Sequence, residues 1–167
     1  MNLPRFTPRR LWLLMAAACL ALSAGSLVLT AALDLHPCHL CIFQRLLFML
    51  LAVLALLAAI LPRAAGRAAG ILTLPLAAWG LGVAAYQSWL QAQPPGSASC
   101  MGGQPSLIER VVEWLGQWQP DLFLATGFCE EAELAILKLT LANWALLAFA
   151  ACLFVALRAL WLARREA

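Results

Sequence analysis

The sequence predicts an all-α fold, a four-helix transmembrane bundle in which a long loop separates the third helix from the fourth. Of the 167 residues, 64% are hydrophobic and 11% are charged, whereas soluble domains have roughly 45–50% apolar and about 25% charged residues. A chain of this size has too little interior to hide so much apolar surface from water. The apolar residues also form four runs close to the length that crosses a bilayer as a helix. A soluble globular protein and a disordered chain are therefore excluded.

The four runs predict spans at about residues 11–33, 42–61, 68–90 and 139–157 of one integral membrane domain, 1–167. Each run is continuous and rich in leucine and alanine, which indicates helices, because the strands of a membrane barrel would be shorter and would alternate. Only the second run contains a charge, Arg45, which lies near its start beside Gln44. The net charge of +3 comes without a dense basic cluster, so nothing points to nucleic acid.

The basic residues orient the bundle, since Lys and Arg concentrate in cytoplasmic loops. Eight of the eleven precede the first span, lie between the second and third, or follow the fourth. These are Arg5, Arg9, Arg10, Arg63, Arg67, Arg158, Arg164 and Arg165. Both termini are therefore expected in the cytoplasm. A secretory signal, the alternative for the N-terminus, would have a shorter apolar core of about 7–15 residues.

Two loops then lie on the non-cytoplasmic side, at about residues 34–41 and 91–138. In the second loop, apolar residues recur at helical spacing and polar residues fill the other face. The apolar ones are Leu107, Ile108, Val111, Val112, Leu115 and Trp118, with Trp114 beside them. This pattern predicts a short helix in the membrane interface. The alternative is a loop helix that packs its apolar side on the protein. We favour the interface because an uncovered apolar stripe beside a bilayer would bury itself there.

The six cysteines divide by position. Cys19 and Cys152 fall in the middle of the first and fourth spans, where a cysteine behaves as a small hydrophobic residue. The other four fall in the non-cytoplasmic loops, which in a bacterium face an oxidising compartment. These are Cys38, Cys41, Cys100 and Cys129. Four cysteines allow three pairings, and the sequence does not choose among them.

Cys38-His39-Leu40-Cys41 is a C-x-x-C motif at the start of the second span. This spacing permits a short disulfide and favours one thiolate, more so at a helix N-terminus, where the helix dipole stabilises negative charge. Pro37 breaks regular structure just before the motif, so the pair is expected to cap the helix. Redox exchange is the favoured interpretation. Two others stay open: static disulfides that staple the loops, and a zinc site that adds His36 and His39 as ligands.

Arg45 lies one helical turn after Cys41 and shares a helix face with it. An arginine within a membrane span costs about 2.5–3.5 kcal/mol on insertion scales and by default marks function. It can stabilise a neighbouring thiolate and donate hydrogen bonds to an oxygen acceptor. The alternative is an anchor that extends towards the lipid headgroups. A permanent disulfide contains no thiolate for such a cation to stabilise, whereas a redox centre that passes electrons to a lipid-soluble carrier does.

The segment Pro37-Cys38-His39-Leu40-Cys41-Ile42-Phe43-Gln44-Arg45 resembles the signature of the disulfide bond formation protein B (DsbB) family. The likeness extends over the whole chain, with four spans and a long second loop that holds Cys100 and Cys129. The stretch from Phe123 to Cys129 also resembles the second loop of the family. Two positions depart from the pattern of some members, which have Glu where Gln44 stands and His where Gln87 stands.

The resemblance implies a quinone-dependent protein-disulfide oxidoreductase of the bacterial inner membrane, with periplasmic loops. Its partner would be a periplasmic thioredoxin-like thiol oxidase of the DsbA type, which it reoxidises. Cys100 would form the mixed disulfide with this partner, and Cys129, its disulfide mate, would pass the electrons to Cys38. Cys41 would face the membrane quinone, ubiquinone or menaquinone, with Arg45 in support. No metal is expected.

Two rival classes use similar features. The vitamin K epoxide reductase-like group is also four-helical and quinone-linked, but its quinone-side C-x-x-C belongs to a late span, whereas here the motif opens the second. A structural membrane protein with two static loop disulfides would contain the same four loop cysteines without any electron transfer.

Overall fold

The computed structural model of the protein describes residues 7–94, 106–129 and 134–165. Four long helices dominate it, and all four are long and apolar enough to cross a membrane. A small two-stranded hairpin and two short helices join the third long helix to the fourth. In chain order the elements are α1 (Pro8–Leu33), α2 (His39–Ile60), α3 (Arg63–Gln91), α4 (Leu107–Trp118), α5 (Pro120–Phe123), β1 (Ala135–Ile136), β2 (Leu139–Thr140) and α6 (Leu141–Arg165).

Local chemistry sets where the helices begin and end. The Thr7 hydroxyl oxygen accepts a hydrogen bond from the backbone N–H of Arg10 (3.4 Å), and Pro8 occupies the first turn of α1, which is a favoured arrangement at helix starts. At the other end of α1, Asp34 adopts a left-handed conformation with φ of 49°, a common way to stop a helix. A capping box of Ser106 and Glu109 begins α4.

The long helices pack as a ring, with α1 on α2, α2 on α3, α3 on α6, and α6 closing against α1. At the centre, Phe48 of α2 and Phe149 of α6 stack with ring centroids 4.1 Å apart. A Cβ atom on Gly80 of α3 would overlap the Phe149 ring. The absence of a side chain at Gly80 therefore lets α3 and α6 approach closely, as small residues do between membrane helices.

The outer surface of the bundle is apolar. Large side chains such as Leu20, Val28, Leu72 and Phe154 are exposed on the long helices. A contiguous apolar surface of this kind requires a cover, and lipid supplies it for a helix that spans a bilayer. The predicted fold class, an all-α transmembrane bundle of four helices, is confirmed.

The helices differ from the predicted spans mainly at their ends. Leu139 and Thr140, expected to begin the fourth span, pair with β1 in the hairpin, whose turn places Leu137 and Lys138 at positive φ. Helix α6 then continues to Arg165, beyond the predicted end at 157. The reason is that hydropathy marks the edge of the hydrocarbon, whereas arginine is a good helix former and continues the helix past that edge.

The predicted loop helix is present as α4. One side of it packs on the bundle, with Val112 buried and Ile108 and Leu115 against the core. A second stripe remains exposed, formed by Leu107, Val111, Trp114 and Trp118. The apolar pattern read from the sequence therefore divides into a protein-facing stripe and an uncovered one.

Candidate redox site

The C-x-x-C motif forms the N-terminus of α2, as its position predicted. Cys38 is the N-cap residue, and its sulfur accepts a hydrogen bond from the backbone N–H of Cys41 (3.4 Å). The Cys38 thiol also donates to the Cys41 sulfur, with the two Sγ atoms 3.1 Å apart. The positive end of the helix dipole lies at this point, so negative charge on the pair is favoured.

Cys129 of the second loop lies beside Cys38, and their side chains are hydrogen-bonded. Cys129 is buried, with 2% of its surface exposed. Hydrogen bonds with Cys129 and Cys41, together with burial, raise the pKa of the Cys38 thiol. The structure thus brings one cysteine of the second loop to the C-x-x-C pair.

The segment that carries Cys129 is held against the first loop by the backbone. The carbonyl oxygen of Pro37 accepts hydrogen bonds from the N–H groups of Thr126 (3.0 Å) and Gly127 (3.3 Å). A Cβ atom on Gly127 would overlap the carbonyl oxygen of His36. The close approach of the two loops therefore depends on glycine at position 127.

Arg45 is enclosed by protein. Only 6% of its surface is exposed, and its guanidinium donates to the hydroxyl oxygens of Ser26 (2.9 Å) and Thr30 (3.2 Å) in α1. A third hydrogen bond reaches the carbonyl oxygen of Leu122 (2.8 Å). The side chain therefore ties α2 to α1 and to the second loop, whereas a headgroup anchor would extend away from the protein. Arg45 and Cys41 line the same cavity.

Two glutamines complete the site, and sequence reasoning left both without a role. The Gln87 side chain of α3 donates from Nε2 to the sulfurs of Cys41 (3.0 Å) and Cys38 (3.4 Å). Gln44 of α2 donates from its own Nε2 to Oε1 of Gln87 (2.7 Å). A signal was present, since both are polar residues at the edge of apolar spans. Their partners depend on helix rotation, which hydropathy does not supply.

A cavity of about 600 Å³ opens beside these groups, between α1 and α6. Its walls are mostly apolar, with Leu29 and Phe48 from the helices and Phe128 from the second loop. Polar side chains also line it, and they include the site residues Cys38, Cys41, Gln44, Arg45 and Gln87. Such a cavity, apolar with a few converging polar groups, is typical of a small-molecule site.

The structure brings together most, but not all, of the residues that the sequence predicted for the site. Cys38, Cys41 and Arg45 line the cavity, and Cys129 is hydrogen-bonded to Cys38, whereas Cys100 lies outside the described residues. Cys19 and Cys152 are buried in the bundle with their sulfurs 3.6 Å apart. Within residues 7–94, 106–129 and 134–165, no group of three or more His, Cys, Asp or Glu side chains is arranged to hold a metal ion.

A helix-capping cysteine pair, a third cysteine against it and an apolar cavity alongside, all in a helical membrane bundle, form the arrangement expected of a membrane thiol–disulfide oxidoreductase. The comparison with protein families agrees. The family model described as Disulfide bond formation protein DsbB matches residues 8–159. The chain belongs to the DsbB family.

Curated relatives carry the same description, Disulfide bond formation protein B. The protein of Dechloromonas aromatica (strain RCB) is 45% identical over 145 residues, which cover 86% of this chain and 87% of the relative. The protein of Azoarcus sp. (strain BH72) is 41% identical over 162 residues, or 96% and 94%. That of Polaromonas naphthalenivorans (strain CJ2) is 39% identical over 145 residues, or 86% and 85%. This chain is thus a multi-pass membrane protein of disulfide bond formation, with an oxidoreductase role.

Proposed function

We propose that the protein reoxidises a periplasmic thioredoxin-like dithiol oxidase of the DsbA type and passes the electrons to a membrane quinone. The overall reaction converts a partner dithiol and a quinone into a partner disulfide and a quinol. Two electrons and two protons move in each turnover. The observation that carries the proposal is the row of three sulfurs, Cys129, Cys38 and Cys41, that runs from the second loop to the cavity.

The proposed relay has two exchanges before the quinone. A thiolate of the partner attacks the Cys100 sulfur of a Cys100–Cys129 disulfide and forms a mixed disulfide. The second thiol of the partner then displaces Cys100, so the partner leaves oxidised and both loop cysteines are reduced. Cys129 then attacks Cys38 of a Cys38–Cys41 disulfide, which releases Cys41 as a thiolate. The Cys100 thiol closes the loop disulfide again and frees Cys38. Each step is attack by a thiolate on a disulfide sulfur, and the contact between Cys129 and Cys38 supports the second step.

The cavity fits a quinone by its chemistry. Its apolar walls suit an isoprenoid-bearing ring, and the Arg45 guanidinium and Gln44 amide supply donors for quinone oxygens. A bound quinone would supply the two-electron acceptor. Cys41 lies one helical turn before Arg45, and both line the cavity, so the thiolate and the acceptor would share one positive charge. Either ubiquinone or menaquinone is compatible with these walls.

The location follows from charge. We place both termini and the loop between α2 and α3 in the cytoplasm of a bacterium, and the protein in its inner membrane, because eight of eleven basic residues fall on that side. The redox site then lies at the periplasmic end of the bundle. The exposed stripe of α4 would rest in the membrane interface.

The test measures both halves of the reaction in purified protein with a DsbA-type partner and a soluble quinone analogue. Cys100→Ser and Cys129→Ser are expected to abolish partner oxidation, while the Cys38–Cys41 pair of the reduced protein still reduces the quinone in one turnover. The matched control is the Cys19→Ala/Cys152→Ala variant, which removes the two cysteines outside the relay and is expected to keep the normal rate. Normal partner oxidation by Cys100→Ser would overturn the relay. Absence of quinone reduction by the intact protein would favour static loop disulfides instead.

A further inference from the structure

We infer that Gln87 is a catalytic hydrogen-bond donor to the Cys41 sulfur and that Gln44 is the positioning residue that turns the Gln87 amide the right way round. This inference rests on the proposed function. It adds two residues, from two helices, to the machinery that stabilises the anionic form of Cys41.

The donors around Cys41 converge on its sulfur. Gln87 Nε2 lies 3.0 Å from it and the Cys38 Sγ lies 3.1 Å from it, both in donor geometry. A thiol that only receives hydrogen bonds is best satisfied as a thiolate, because a hydrogen bond to an ion is stronger than one to a neutral group. Gln87 is 1% exposed, so water does not compete with this contact.

A side-chain amide has a donor nitrogen and an acceptor oxygen, and only the nitrogen can stabilise a thiolate. With Nε2 towards Cys41 the group stabilises negative charge, whereas with Oε1 there it would repel it. Gln44 resolves the choice, because its Nε2 donates to Gln87 Oε1 at 2.7 Å and so holds that oxygen away from the sulfur. Gln44 itself is 5% exposed, and its side-chain amide donates to Gln87.

The contact acts at a defined step. When Cys129 attacks Cys38 of the Cys38–Cys41 disulfide, the Cys38–Cys41 bond breaks, the Cys129–Cys38 bond forms, and the electron pair of the broken bond leaves on Cys41. Exchange is faster when the leaving thiolate is more stable. Gln87 is already placed against that leaving sulfur, and an amide does not titrate, so its contribution persists at every working pH.

The test uses Gln87→Met and Gln44→Met, which keep an unbranched side chain of similar length but remove the amide. The full-length protein is reduced, no quinone or partner is added, and the alkylation rate of each cysteine is followed by mass spectrometry against pH. We expect the Cys41 rate near neutral pH to fall about ten-fold in Gln87→Met, the size expected for losing one hydrogen bond to a charged group. Gln44→Met should give a smaller fall, and the double variant should be no slower than Gln87→Met, since the two residues act in series.

The control is Thr73→Val, which removes another buried polar group of α3 whose hydroxyl donates only to its own helix, at Gly70 (2.6 Å). Cys129 in the same samples reports general loosening of the site. An unchanged Cys41 rate in Gln87→Met would overturn the inference, as would an equal change at Cys129 or in Thr73→Val. Additive effects of the two glutamine variants would overturn the positioning role of Gln44. Because neither quinone nor partner is present, these outcomes are independent of whether the relay itself is correct.

Discussion

At the scale of single residues, Arg45 does more than the sequence suggested. Its spacing from Cys41 predicted a cation close to a thiolate, and the two residues line the same cavity. The guanidinium also holds three oxygen acceptors on two other segments of the chain. Its planar, divergent donors suit this task, whereas a lysine ammonium is a point charge. Arg45 therefore supplies a positive charge to the site and also holds α1 and the second loop in place around it.

We expect Arg45→Ala to lower kcat/KM for the quinone by about 10- to 100-fold, because buried hydrogen bonds to a charged group are each worth about 1.5–3 kcal/mol. Arg45→Lys should lower kcat/KM for the quinone less than Arg45→Ala does, since lysine keeps the charge but lacks the planar guanidinium donors. Steady-state kinetics with varied quinone measures both. The comparison variant is Ser26→Ala/Thr30→Val, which removes two acceptors and leaves the cation. A quinone dependence unchanged in Arg45→Ala would reduce this residue to a structural tie.

At the scale of elements, the site forms where the first and second loops pack together at the N-terminus of α2. The backbone of residues 126–127 hydrogen-bonds the carbonyl of Pro37, the residue before the redox pair. This docking holds Cys129 against Cys38. Main-chain groups make this docking, and the Arg45 side chain adds a hydrogen bond to the carbonyl oxygen of Leu122 in the same loop.

Gly127 is the place where a side chain would intrude, because a Cβ there would overlap the His36 carbonyl oxygen. We expect Gly127→Ala to separate the loops and slow transfer from Cys129 to Cys38 more than ten-fold, with the reaction of the Cys38–Cys41 pair with quinone preserved. Rapid-quench measurement of the Cys129–Cys38 disulfide reports the first, and single-turnover quinone reduction the second. Gly82→Ala is the control, since a Cβ at Gly82 meets nothing within 4 Å. Equal transfer rates in the two variants would contradict the docking account.

The same elements show what could be predicted. The four long helices, the helix-capping motif and the amphipathic α4 follow from run length, Pro37 and apolar spacing, which are local properties, whereas α5 and the hairpin were not predicted. The Gln87–Cys41 and Cys19–Cys152 contacts do not follow from such properties, because each needs the rotation and depth of two helices relative to one another. The Cys129–Cys38 contact likewise depends on how one loop lies on another. Sequence therefore predicts which segments form helices better than it predicts which side chains meet between them.

At the scale of the whole molecule, the distribution of charge and the position of the site must agree. The redox pair and α4 lie at one end of the bundle, where α2 begins and α3 ends. The loop between α2 and α3, with Arg63 starting α3, lies at the other. Arg158 and Arg165 pack on the Trp161 ring at that same end, with charge-to-centroid distances of 5.0 and 3.6 Å. Aromatic and basic residues together are typical of a membrane boundary on the cytoplasmic side.

We therefore expect reporter fusions at the C-terminus and between α2 and α3, at residues 61–62, to report the cytoplasm, and a fusion near Gly103 to report the periplasm. The physical reason is that basic loops are retained on the cytoplasmic side during insertion. Replacing Arg63 and Arg67 with Asn should weaken this preference and serves as the control for the charge argument. A periplasmic reading at the C-terminus would place the three sulfurs on the reducing side of the membrane. Disulfide transfer to a periplasmic partner would then be impossible, whatever the geometry around Cys38.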